Sequence, residues 1–95
     1  MDMRQALERL CTCTAPSGFE PPAAAVAAGL LRPLVDEGSG DRLGNGLGGR
    51  RCGKEGAPRL LLDAHLDEIG LLVTGVEDGF LRFRSIGGVD PRLLP

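Results

Sequence analysis

An α/β fold, two N-terminal helices packed on a mixed β-sheet, is what the order of patterns in this chain predicts. Three observations carry that expectation. Met3, Ala6, Leu7, Leu10 and Cys11 recur at three- and four-residue spacing, as one face of a helix does. Leu60-Leu61-Leu62 is a short continuous apolar run, too short for a helix of its own and fit for a strand buried on both faces. Asp78-Gly79 separates two stretches of alternating residues, the mark of a hairpin.

The elements follow in order. The first helix ends at Thr14-Ala-Pro-Ser-Gly18, and Cys11 continues its apolar face. A second helix is predicted from about Pro22 to Arg32, because a proline is tolerated in a first turn, where its missing N–H has no partner to lose. Ala27, Leu30, Leu31 and Leu34 would face the core. Gly29 weakens this helix by about 1 kcal/mol relative to alanine, and Pro33 disfavours helical geometry at Arg32 and closes it. From Val35 onward, Gly38, Gly40, Gly44, Gly46, Gly48 and Gly49 punctuate a stretch that reads either as two short strands with loops or as a polar linker. Residues 50–58 read as a turn and Leu60–Asp63 as a strand. Ile69 to Thr74 forms the next strand, and Phe80 to Arg84 is its antiparallel partner across a type I′ turn.

Composition narrows the function classes. With 95 residues the chain is short enough that folding buries only about 60–65% of the unfolded surface. Three phenylalanines and no tryptophan or tyrosine leave few large side chains to fill a core. A net charge of −2 and the absence of an aromatic stacking platform beside Arg50, Arg51, Arg82 and Arg84 argue against nucleic acid as a partner, and those arginines read as a solvated strand face. No apolar stretch approaches the roughly 18 residues that span a bilayer, and the start Met-Asp-Met-Arg-Gln has no signal-peptide pattern. No membrane association and a cytoplasmic location are therefore expected. Cys11, Cys13 and Cys52 lack zinc-knuckle spacing and read as free, reduced thiols.

The chemistry-bearing segment is Ala64-His-Leu-Asp-Glu-Ile-Gly70, and His65 is the only histidine. Side chains alternate faces in an extended backbone, so His65 and Asp67 point the same way. A carboxylate beside an imidazole holds one ring nitrogen through its N–H and aims the other at a metal, which makes the pair a metal half-site. The competing reading is a scaffolding histidine, with Asp67 and Glu68 in a solvated turn. The residues of this segment leave both open.

Four segments then occur together in order: Ala15-Pro-Ser-Gly-Phe-Glu20, Asp41-Arg-Leu-Gly-Asn45, Ala64-His-Leu-Asp-Glu-Ile-Gly70, and Gly79-Phe-Leu-Arg-Phe83 running into Ile86-Gly-Gly-Val-Asp-Pro91. In these the chain resembles the N-terminal third of the M42 metalloaminopeptidases, a group that includes glutamyl and tetrahedral aminopeptidases. The resemblance implies a zinc-peptidase-like enzyme that removes N-terminal residues from peptide substrates with two divalent metal ions, zinc or cobalt. By the same resemblance His65 is a metal ligand, Asp67 is the catalytic-site aspartate that orients it, and the complete protein is a homo-oligomer. Residues 1–77 would be the N-terminal part of the catalytic domain, and residues 78–95 the β-hairpin and the start of an inserted β domain.

The family's other ligands and its catalytic glutamates have no counterpart here, so the expectation is a truncated form, inactive alone. Gly46 and Gly48 stand where the family places aliphatic strand residues, and Ser39-Gly40 loosens the preceding strand. The alternatives are a non-catalytic remnant acting as an interaction module and, lower, a glycan hydrolase. The latter requires two carboxylates flanking the scissile bond, whereas this motif sets a carboxylate beside a histidine.

Overall fold

The computed structural model describes residues 2–94. Met1 and Pro95, the outer ends of the units expected at 1–77 and 78–95, lie outside the described residues. Helix α1 spans Met3–Cys11, and the Asp2 carboxylate caps it by accepting the Arg4 N–H at 2.9 Å. Helix α2 spans Pro21–Leu31, with prolines in its first turn as their geometry allows. Pro33 does not expel Arg32 from helical space. Arg32 keeps φ −46°, ψ −46°, the chain tightens into a 3-10 turn over Arg32–Leu34, and it leaves at Val35.

The α/β character holds, but the single mixed sheet does not form. Two separate antiparallel two-stranded sheets take its place among the described residues. Strands β1 (Glu37–Gly40) and β2 (Gly46–Gly49) pair from Glu37↔Gly49 to Gly40↔Gly46. Their glycines, which looked like a weakness, have a packing reason at one position. A Cβ on Gly48 would lie 2.8 Å from Val35 Cγ1, so only a bare backbone lets Val35 cross the strand. The Asp41–Asn45 segment closes this hairpin. Asp41 Oδ1 accepts the N–H groups of Leu43 and Asn45, both at 2.9 Å, while the Asn45 amide donates to Oδ2 at 2.7 Å.

Strands β3 (Gly70–Glu77) and β4 (Phe80–Ile86) form the second hairpin, with a bulge between Val73 and Gly75. Asp78 at φ 50° and Gly79 at φ 82° supply the two positive angles of the predicted turn. Arg82 pairs with Glu77 across it.

The predicted strand at Leu60–Asp63 is absent. Those residues join no ladder, and Leu60, Leu61 and Leu62 are 84–85% exposed. A strand buried on both faces requires neighbours along its edges and layers above and below it, and the described residues provide none. The apolar helix faces fare similarly. Leu7, Leu31, Leu34 and Cys11 are exposed, and Ala27 and Leu30 are half-buried. The buried apolar residues are Ala6 of α1, Ala15 of the following loop and Ala23 of α2. A Cα radius of gyration of 17.9 Å, against about 12 Å for a compact domain of this length, reflects the same sparse burial.

Candidate metal half-site

One of the three buried residues among those described is tied directly to the end of the His-x-Asp segment. Ala15 is 2% exposed, and both of its backbone polar groups engage Glu68. The Glu68 N–H donates to the Ala15 carbonyl at 2.9 Å, and the Ala15 N–H donates to Glu68 Oε1 at 3.2 Å. Pro16 and Glu68 form an isolated parallel bridge, and a Cβ on Gly70 would sit 3.2 Å from Pro16 Cβ. The loop itself turns tightly. Gly18 takes φ 90°, where a side chain would be strained, and the Phe19 N–H returns to the Pro16 carbonyl at 2.8 Å. The segment Ala15–Gly18 is thereby stitched to Asp67–Gly70.

His65 and Asp67 meet as the alternation of an extended backbone predicts. His65 Nδ1 lies 3.0 Å from Asp67 Oδ1 and 3.0 Å from the Asp67 carbonyl oxygen. Both Asp67 oxygens beside Nδ1 can only accept, so Nδ1 carries a proton, and in the neutral imidazole Nε2 is the nitrogen with the lone pair. The His65 side chain is 85% exposed and that of Asp67 38%, which leaves Nε2 open to a ligand. The other Asp67 oxygen, Oδ2, accepts the Ser17 hydroxyl. The Ser17 hydroxyl first, and then His65, hold the Asp67 carboxyl below the ordinary carboxylate range. Asp67 is therefore an anion at neutral pH, with one oxygen on the imidazole and the other on the serine.

A neutral imidazole with a protonated Nδ1 on a carboxylate has the chemistry of a metal ligand. The described residues contain no group of three or more His, Cys, Asp or Glu side chains placed to hold an ion, so the pair by itself is not a complete donor set. Ser17 lies in the Ala15–Glu20 segment, where the sequence alone assigns it no role. Its bond to Asp67 spans 50 positions, and no local pattern announces it. The cysteines take no part. All three are free, and the Cys13 thiol donates to the Arg9 carbonyl at 3.0 Å. A groove of about 770 Å³ between α2 and the β1–β2 hairpin is lined by neither His65 nor any cysteine. None of the helices described is long and apolar enough to cross a membrane.

Comparison with known proteins gives this arrangement a context. The model of the M42 glutamyl aminopeptidase family matches residues 44–95. A lysyl aminopeptidase of Pyrococcus furiosus is 41% identical over 66 residues, 68% of this chain and 18% of that protein. The structure of an aminopeptidase from the archaeon Desulfurococcus kamchatkensis superposes with a TM-score of 0.81 at 40% identity, covering 93% of this chain and 24% of that one. A TET aminopeptidase from a marine-sediment Thaumarchaeota archaeon also gives 0.81, at 29% identity over 96% of this chain and 25% of its own. The chain spans about a quarter or less of the length of the relatives it matches. From the match over more than half of its residues, and from a fold shared with aminopeptidases, the chain belongs to the M42 glutamyl aminopeptidase family.

Proposed function

We propose that this chain supplies one metal ligand, His65 through Nε2, and its orienting carboxylate, Asp67, to a metal-dependent aminopeptidase that releases N-terminal residues from peptides. The observation that carries the reading is the position of Nδ1 between two acceptors of Asp67, which makes Nε2 the free nitrogen of the neutral imidazole. The family's two divalent ions, zinc or cobalt, would polarise the scissile carbonyl and make a water nucleophilic near neutral pH. The work of this chain's own residues is to hold geometry and charge. Asp67 fixes the tautomer of His65, limits ring rotation and raises the basicity of the free nitrogen. In this reading the remaining ligands and the general base come from outside these 95 residues, since the described residues hold no further cluster placed to bind an ion.

In this reading residues 1–77 belong to the catalytic domain, and residues 78–95 open an inserted β domain, with the Asp78-Gly79 turn at the boundary. The sparse burial of both hairpins and of Leu60–Leu62 agrees with a larger body covering them, and a cytoplasmic homo-oligomer of the complete enzyme supplies one. The test is hydrolysis of aminoacyl-p-nitroanilides with added zinc or cobalt. The protein at its natural length should turn over in a metal-dependent way and lose that turnover in His65→Ala, while the 95-residue chain alone should show none. Metal-dependent turnover that survives His65→Ala would end this assignment.

A further inference from the structure

We propose that Ser17 is a positioning residue for the metal site: its hydroxyl holds Asp67 in the rotamer that keeps His65 oriented, so the Ala15–Glu20 loop forms the outer support of the ligand. The inference rests on the reading of His65 as a ligand and goes beyond it by assigning a role to Ser17.

Three features converge on it. Asp67 has two oxygens with different partners, Oδ1 on His65 Nδ1 and Oδ2 on the Ser17 hydroxyl. The carboxylate is thus held at both ends, which a bond to the imidazole alone would not do, because a carboxylate with one partner still rotates about its last bond. The serine is placed independently of the contact it makes. Its loop is tied to Glu68 by the two bonds of Ala15, which is itself buried. Finally, Ser17 is itself exposed, so removing its hydroxyl takes away a donor and almost no packing.

Ser17 can only donate to an ionised Asp67, and His65 Nδ1–H can only donate to it as well. The carboxylate therefore sits between two donors, and losing one frees it to swing. With Asp67 swinging, the Nδ1–H tautomer rests on the Asp67 carbonyl alone, so its preference weakens and neutral imidazole divides more evenly between its two forms. Fewer molecules present Nε2 as a lone pair, and metal binds more weakly. Direct partners of a ligating histidine typically matter by about 10- to 100-fold, and a group one bond further out should matter by about 3- to 10-fold.

The experiment uses the protein at its natural length and compares wild type, Ser17→Ala, Ser17→Thr and His65→Ala. Two readouts are taken. The first is the imidazole ¹⁵N spectrum of the metal-free protein, with the His65 signals assigned by their disappearance in His65→Ala. The second is cobalt affinity by competition with a chelator. Ser17→Ala should mix the two His65 tautomers and weaken cobalt by about 3- to 10-fold, and Ser17→Thr, which keeps the hydroxyl, should restore both. A Ser17→Ala protein with an unmixed tautomer and unchanged cobalt affinity, alongside a His65→Ala protein that loses metal, overturns the role of Ser17 and leaves the ligand assignment standing. Full metal binding by His65→Ala overturns both. Ser17→Thr matching Ser17→Ala in both readouts also overturns the role of the hydroxyl, since the loop and not the donor would then be what matters.

Discussion

The β3–β4 hairpin and the junction of Ala15–Gly18 with His65–Glu68 are built from opposite kinds of information. The hairpin pairs residues that are sequence neighbours, from Glu77↔Phe80 outward, and it turns on two positive-φ residues at its tip. It carries little burial, with Leu72, Val76 and Phe80 all more than half exposed. The junction joins residues 50 and 53 positions apart, through single hydrogen bonds at Ser17 and Ala15 and a buried alanine. Local chemistry is enough to make a hairpin. A site that must hold a carboxylate and an imidazole in fixed rotamers draws its partners from distant chain, because neighbouring residues cannot surround a side chain on all sides.

Three substitutions would break or sharpen that contrast. The largest expected effect is Asp67→Asn in the protein at its natural length. The amide keeps the shape and loses the charge, so metal affinity should fall by about 10- to 100-fold, while amide exchange in residues 71–76 stays as in wild type. Faster exchange there would mean that the junction and the hairpin are one unit. Next comes Gly79→Val, which forces a β-branched side chain onto φ 82°. It should destabilise the hairpin by about 1–2 kcal/mol and speed exchange at its amides, with the His65 tautomer unaltered. A tautomer shift in this variant would show the hairpin supporting the site.

The smallest effect concerns Asp41. The Asn45 side-chain amide, the leading cause, holds the Asp41 carboxyl below its ordinary value of 3.8. A lowered folded value means that this bond contributes stability above the ordinary value, and that the contribution disappears as pH falls through the lowered one. Asn45→Ala should therefore raise the Asp41 titration midpoint toward 3.8, read from its carboxyl ¹³C shift, and leave Asp67 alone. A midpoint that does not move would remove the amide as the cause.

What was legible in the sequence follows the same division. Helix α1, the β3–β4 hairpin and its turn type, and the meeting of His65 with Asp67 rest on short spacing, and each was visible in it. The Leu60–Leu62 run forms no strand, because three leucines report a need for burial without naming the surface that satisfies it. Gly48 read as a weak point in a strand, since nothing in the pattern places Val35 across it. Ser17 stood inside a recognisable segment, but its bond to Asp67 depends on the loop folding back onto Glu68. That information is distributed over both segments and appears in neither.

The central claim is that His65 binds metal through Nε2, and metal content tests it most directly. Zinc or cobalt bound per chain should be measured for the wild-type protein at its natural length and for His65→Ala, after dialysis against the same free-metal concentration. Occupancy of one metal site should be lost or much weakened in the variant, with folding intact by circular dichroism. Equal stoichiometry in the two proteins would contradict the claim and leave His65 as scaffolding.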